Sequence, residues 1–134
     1  MKTLRVGIMS LRDYQRRTIA IASGQYRPRK DEPKVWFESI KSMAQVLSNE
    51  NQALLKLILD HEPRSLAELE QLSQRNKSNL SRTLKKLEAC GVVELRKEQG
   101  RLVPTVKATD FHVQFGLNVS HPVPERTVPD SEPA

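Results

Sequence analysis

Apolar and polar positions alternate with two different periods along this chain, and the switches between them mark its elements. Residues 3–9 (TLRVGIM) set Leu4, Val6 and Ile8 against Thr3, Arg5 and Gly7, a period of two that predicts a short strand. The period then lengthens. Ser10, with Asp13 three residues on, opens a helix over residues 10–22. On it Leu11, Tyr14, Thr18 and Ile21 recur at helical spacing, Arg12, Arg16 and Arg17 take the other side, and Gly24 ends the run. Residues 23–34 (SGQYRPRKDEPK) form a polar, proline-broken linker. An apolar VWF follows, and residues 38–47 predict a short helix. Ser48 caps the next helix, whose Leu54, Leu57, Ile58 and His61 share a face and which Pro63 closes.

The second half is more regular. Ser65 and Glu68 have the spacing of a capping box that opens residues 65–72, with Leu66, Leu69 and Leu72 as the apolar stripe. Four polar residues, 73–76, separate this helix from another over 77–90, after which Gly91 suits the position just past a helix end. VVELRK, EQG and RLVPTV then predict a β-hairpin, with Pro104 restricting the second strand to an edge. Phe111, Val113, Phe115 and Leu117 alternate strictly and predict a last strand. From Asn118 onward four prolines and few apolar residues predict a disordered acidic tail.

The helix over 77–90 is the most informative element. At 100° per residue, with Leu80 at 0°, Leu84 falls at about 40° and Leu87 at about 340°, a single narrow core stripe. Ser78, Arg82 and Lys85 fall at about 160°, 200° and 140°, directly opposite. Asn79 and Lys86 flank them on one side and Ser81 on the other. Hydrogen-bonding groups near the helix start and cations further along are what base edges and phosphates demand. A merely solvated face looks similar but normally intersperses Glu with Lys. Here the first acid is Glu88, at the far end. A capped helix, a polar turn, a second helix and a hairpin bearing Arg96, Lys97, Gln99 and Arg101 follow one another in the order of a winged helix-turn-helix. In that arrangement the helix over 77–90 enters the major groove and the hairpin reaches flanking phosphates or the minor groove.

Composition narrows the class further. Net charge is +6, and residues 1–34 alone hold nine Lys/Arg against three acids. That favours polyanionic or acidic partners. The start of the chain lacks the apolar core of a signal peptide, and no apolar run approaches the roughly 18 residues of a membrane span, so a cytoplasmic protein without membrane contact is expected. A single cysteine, Cys90, excludes an internal disulfide framework and reads as a small buried hydrophobe rather than a redox sensor. His61, His112 and His121 share no metal-ligand spacing with one another or with Cys90. No serine sits in a nucleophile motif, and no glycine-rich loop could cradle a phosphate. No enzyme activity, cofactor or metal is expected. Trp36 and Phe37 are read as core anchors, with a partner surface as the alternative.

The stretch SLAELEQLSQRNKSNLSRTLKKLEACGVVELRK resembles the winged helix-turn-helix of MarR-like regulators, with a Ser-x-Leu-Ser-Arg-x-Leu-x-x-Leu pattern at Ser78 to Leu87. Upstream, EPKVWFESIKSMAQVLSNENQALLKLI is similar to small prokaryotic winged-helix antitoxins of the TumE/TumA toxin–antitoxin type, the Trp36–Phe37 helix narrowing the group. The likeness covers roughly residues 33–117. It implies a DNA-binding antitoxin that represses its own operon and neutralises a toxin encoded beside it. The alternatives are a stand-alone transcriptional regulator, which would need an effector pocket that this small aliphatic core does not advertise, and a protein-binding winged module, which an acidic or apolar recognition face would favour.

The expected fold is therefore mainly α with a small β-wing. It comprises an N-terminal strand–helix arm (1–34), a winged helix-turn-helix domain (35–117) and a disordered tail (118–134). The expected DNA contacts are Lys77, Ser78, Asn79, Ser81, Arg82, Lys85, Lys86, Arg96, Lys97 and Arg101. One recognition helix reads too few base pairs to specify an operator, so a homodimer on double-stranded DNA is expected. The arm is assigned to partner contact: a lone strand at Leu4, Val6 and Ile8 would pair with the edge of a toxin's sheet, and Arg12, Arg16 and Arg17 would meet acidic groups there. The competing reading is that this strand pairs with residues 111–117 of its own or a sister chain.

Overall fold

The computed structural model describes residues 2–117, and the predicted tail lies outside them. Ten elements follow in order: β1 (Lys2–Ile8), α1 (Leu11–Ala22), β2 (Val35–Phe37), α2 (Ile40–Val46), α3 (Asn49–His61), α4 (Leu66–Ser73), α5 (Lys77–Ala89), β3 (Val93–Glu98), β4 (Arg101–Val106) and β5 (Ala108–Gln114). The fold is thus mixed α/β rather than mainly α. Besides the predicted hairpin β3–β4 it has a three-stranded sheet of order β2-β1-β5. No helix of the described residues is long and apolar enough to cross a membrane.

Among the described residues the chain divides into two compact units, one of residues 2–4 and 41–112, the other of residues 5–40 and 113–117. These are not the boundaries expected at residues 34 and 117. The reason is strand pairing. β2 runs parallel to β1, with Val6, Gly7 and Ile8 in register with Val35, Trp36 and Phe37, so the chain returns to β1 after the linker instead of leaving it. The apolar VWF is this strand, and the short helix expected over residues 38–47 follows it as α2.

β1, α1 and β2 make a strand–helix–strand crossover, the connection that parallel pairing requires. Ser10 caps α1, its hydroxyl accepting from the Asp13 N–H at 3.2 Å. The helix presents another face inward than its apolar spacing suggests. No residue of α1 is fully buried, and Leu11, Tyr14 and Ile19 are exposed. Arg17 instead turns in: its Nη2 lies 2.8 Å from Glu32 Oε1, both side chains nearly covered. Its guanidinium also sits 5.2 Å from the Trp36 ring centroid and 5.9 Å from that of Tyr26.

In the first unit three helices and the hairpin enclose an aliphatic core. Leu54, Leu55 and Ile58 of α3, Leu66 and Leu69 of α4, and Leu80, Leu84 and Leu87 of α5 are buried, with Val92, Val93 and Val106 beside them. Leu55 joins the buried face of α3, and His61, expected on that face, is exposed. Ser48, Ser65 and Asn76 cap α3, α4 and α5 through side-chain oxygens that accept from the N–H three residues on. The Glu68 carboxylate accepts from the Arg64 N–H, one residue before the cap. Gln99 and Gly100 both have positive φ, 53° and 77°, and close the hairpin as a two-residue loop between paired Glu98 and Arg101.

Candidate nucleic-acid interface

The surface centred on α5 is built by its two ends. α4 stops at Ser73, and Gln74 adopts a left-handed conformation (φ 63°) as its cap. Asn76 then caps α5, so three residues make the turn. Arg75, in the middle of that turn, is braced from two sides. Its Nη2 donates to Asn51 Oδ1 at 3.1 Å and its Nη1 to Asn79 Oδ1 at 3.4 Å, while the Asn51 amide donates to the Val46 carbonyl at 2.9 Å. A fork of charge-assisted bonds thus ties the start of α5 to the start of α3.

From that anchor α5 buries Leu80, Leu84 and Leu87 and turns its other side outward. Lys77, Ser78, Arg82, Lys85 and Lys86 are exposed, and Asn79 and Ser81 are half-buried at its flanks. The one acid of the helix is occupied elsewhere: Glu88 Oε2 accepts from the Leu95 N–H at 3.3 Å, joining the end of α5 to β3. Among the described residues neither Arg82 nor Lys85 or Lys86 has an acidic partner. Three cations and a serine hydroxyl therefore share one exposed face with no internal neutralisation.

The hairpin contributes unevenly. Lys97 and Arg101 are exposed beside the Gln99–Gly100 turn and make no ion pair among the described residues. Arg96 pairs instead with Glu98, at 3.7 Å, and lines a cleft between α3 and the hairpin. Of the cations predicted to contact DNA it is the one with an ion pair among the described residues. That cleft measures about 370 Å³ and is bounded by Ile58, Leu59, Arg64, Arg96 and Val103 among others, so the core does offer a concave surface that its composition did not announce. Cys90 caps the end of α5, half-buried, and burial pushes its thiol pKa up, which lowers its reactivity.

The residues expected to contact a protein partner fall into two groups. Leu4, Val6 and Ile8 are buried, and β1 has a strand on each side, β2 pairing along Val6–Ile8. Arg17 is committed to Glu32. Arg12 and Arg16 remain exposed on α1, Arg16 within 3.8 Å of Asp13. Arg75 and Asn51 were not singled out from sequence, because no local pattern links positions 24 residues apart.

A helix pair joined by a tight turn and followed by an antiparallel hairpin defines the class of domain to which this surface belongs. The chain is a member of the HVO_A0114 family, whose profile matches residues 46–113, from the end of α2 into β5. No curated protein and no solved structure matches it.

Proposed function

We propose that the chain is a winged helix-turn-helix DNA-binding protein of the MarR-like kind, acting as the antitoxin and autorepressor of a toxin–antitoxin module. The observation that carries the DNA-binding reading is the α5 face, where Arg82, Lys85 and Lys86 stand exposed without acidic partners beside Ser78. In this reading α4 supports α5, Arg82 makes a bidentate contact to a guanine edge, and Lys97 and Arg101 at the hairpin tip neutralise phosphates. Toxin contact then falls to the outer face of α1, where Arg12 and Arg16 lie near exposed Leu11 and Tyr14, because β1 already has a strand on each side. The test is a titration of the full chain against duplexes from upstream of its own gene and against scrambled duplexes, at several salt concentrations. Co-purification with the product of the adjacent gene tests the antitoxin half. Equal affinity for all duplexes, or none for any, removes the repressor reading. The cleft between α3 and the hairpin favours a second reading, a stand-alone regulator with a small effector, since its volume of about 370 Å³ suits a small molecule. An effector that shifts DNA affinity without any toxin gene nearby would establish it.

A further inference from the structure

β5 ends the order β2-β1-β5, so one edge of its backbone has no strand beside it among the described residues. Such edges are normally shielded by shortness, proline or inward charge. β5 has none of these: it is seven residues long, without proline, lysine or arginine. Apolar residues at its end and just beyond it are displayed as well. Val113 is 48% exposed, Phe115 57% and Leu117 89%, although their alternation is that of a strand with a covered face.

Charge indicates the occupant. The chain bears a net +6, so two copies repel over most of their surfaces. Residues 108–117 contain no Lys or Arg and a single acid, Asp110, which makes this a stretch where two copies can approach without that cost. An antiparallel strand pair about a two-fold axis is also self-complementary, each copy supplying the same edge. Centred at Phe111, it sets Asp110 of each copy opposite His112 of the other, and Thr109 opposite Val113. We infer that β5 pairs antiparallel with β5 of a second copy, joining the two three-stranded sheets and drawing the exposed Val113 of each copy against the other. This deepens the DNA-binding reading, which requires two α5 helices, but it is tested without DNA, so either can fail alone.

Sedimentation of the full chain over a wide concentration range should show a species of twice the 15.3 kDa chain mass. The double substitution Val113→Lys/Phe115→Lys should return the chain mass at concentrations where the parent is fully dimeric, a loss of affinity of at least about 100-fold, with an unchanged far-ultraviolet spectrum. Leu11→Lys, on α1, should leave the dimer intact. In a Cys90→Ser background, Phe111→Cys should give a disulfide-linked dimer on mild oxidation, because the residue on the axis faces itself. A parent that stays monomeric throughout overturns the proposal. So does a dimer broken by Leu11→Lys but not by the β5 substitutions, or one in which Phe111→Cys fails to cross-link.

Discussion

Single residues decide more of this molecule than its aliphatic core would suggest, and Gly7 is the clearest case. A Cβ there would press on Trp36 Cζ3, with Trp36 Cε3 at 2.6 Å and Pro33 Cγ at 2.9 Å. The indole packs close against β1 because glycine leaves room for it, and the Arg17 guanidinium lies 5.2 Å from the centroid of the same ring. Gly7→Ala should therefore cost about 1–3 kcal/mol through overpacking, measured by chemical denaturation. Arg17 and Glu32 are buried together, so removing one partner strands the other. Arg17→Met alone should destabilise by about 3–5 kcal/mol, and pairing it with Glu32→Met should recover much of the loss; additive effects would mean the pair is solvated. Arg82 is a different kind of residue. It is exposed, unpaired and outside the core, so Arg82→Ala should leave the melting temperature unchanged. It should cost about 1–3 kcal/mol in specific DNA binding and relax the preference for one base pair. Parental affinity and specificity in that variant would remove α5 as the reading helix.

At the scale of elements, the hairpin tip should behave as a charge and not as a reader. Lys97→Ala/Arg101→Ala should weaken binding to specific and scrambled duplexes alike and flatten the dependence of log affinity on log salt by roughly one to two ion equivalents. Arg96→Ala should do less, because that side chain already pairs with Glu98. How much of this was legible in advance depends on whether the signal was local. The starts of α1, α3 and α4 were visible because Ser10, Ser48 and Ser65 satisfy N–H groups only three residues away. The turn of the hairpin was visible from Gly100, which takes a positive φ freely, although Gln99 beside it adopts φ 53° without that advantage. The outward set on α5 followed from the leucine stripe that fixes its rotation. β2 was hidden because three residues cannot display a period, and its parallel pairing to β1 depends on Gly7 accepting Trp36. The rotation of α1 was hidden because Glu32, fifteen residues beyond Arg17, decides which face turns in.

For the whole molecule, the consequence is that residues 1–34 are no detachable arm. Their strand β1 lies between β2 and β5, and their helix α1 is fastened through Arg17 to Glu32 and Trp36. Removing them takes the middle strand out of a three-stranded sheet. It leaves Val35–Phe37 without the strand it pairs with, and bares the side of Ala108–Gln114 that β1 had occupied. The α3-to-β4 portion has its own core in Leu54, Leu69, Leu80, Leu84 and Leu87, and its caps and hairpin register owe nothing to β1. Deleting residues 1–34 should therefore split two properties that a detachable arm would keep together. The shortened chain should retain most of its far-ultraviolet helical signal and weak affinity for an operator half-site, while self-associating into large species through strand edges that β1 had covered. Light scattering and DNA titration on the same sample separate these outcomes. A shortened chain that stays monodisperse would mean that β1 is dispensable to the sheet. One that loses all helical signal would mean that the α3-to-β4 core cannot stand without it.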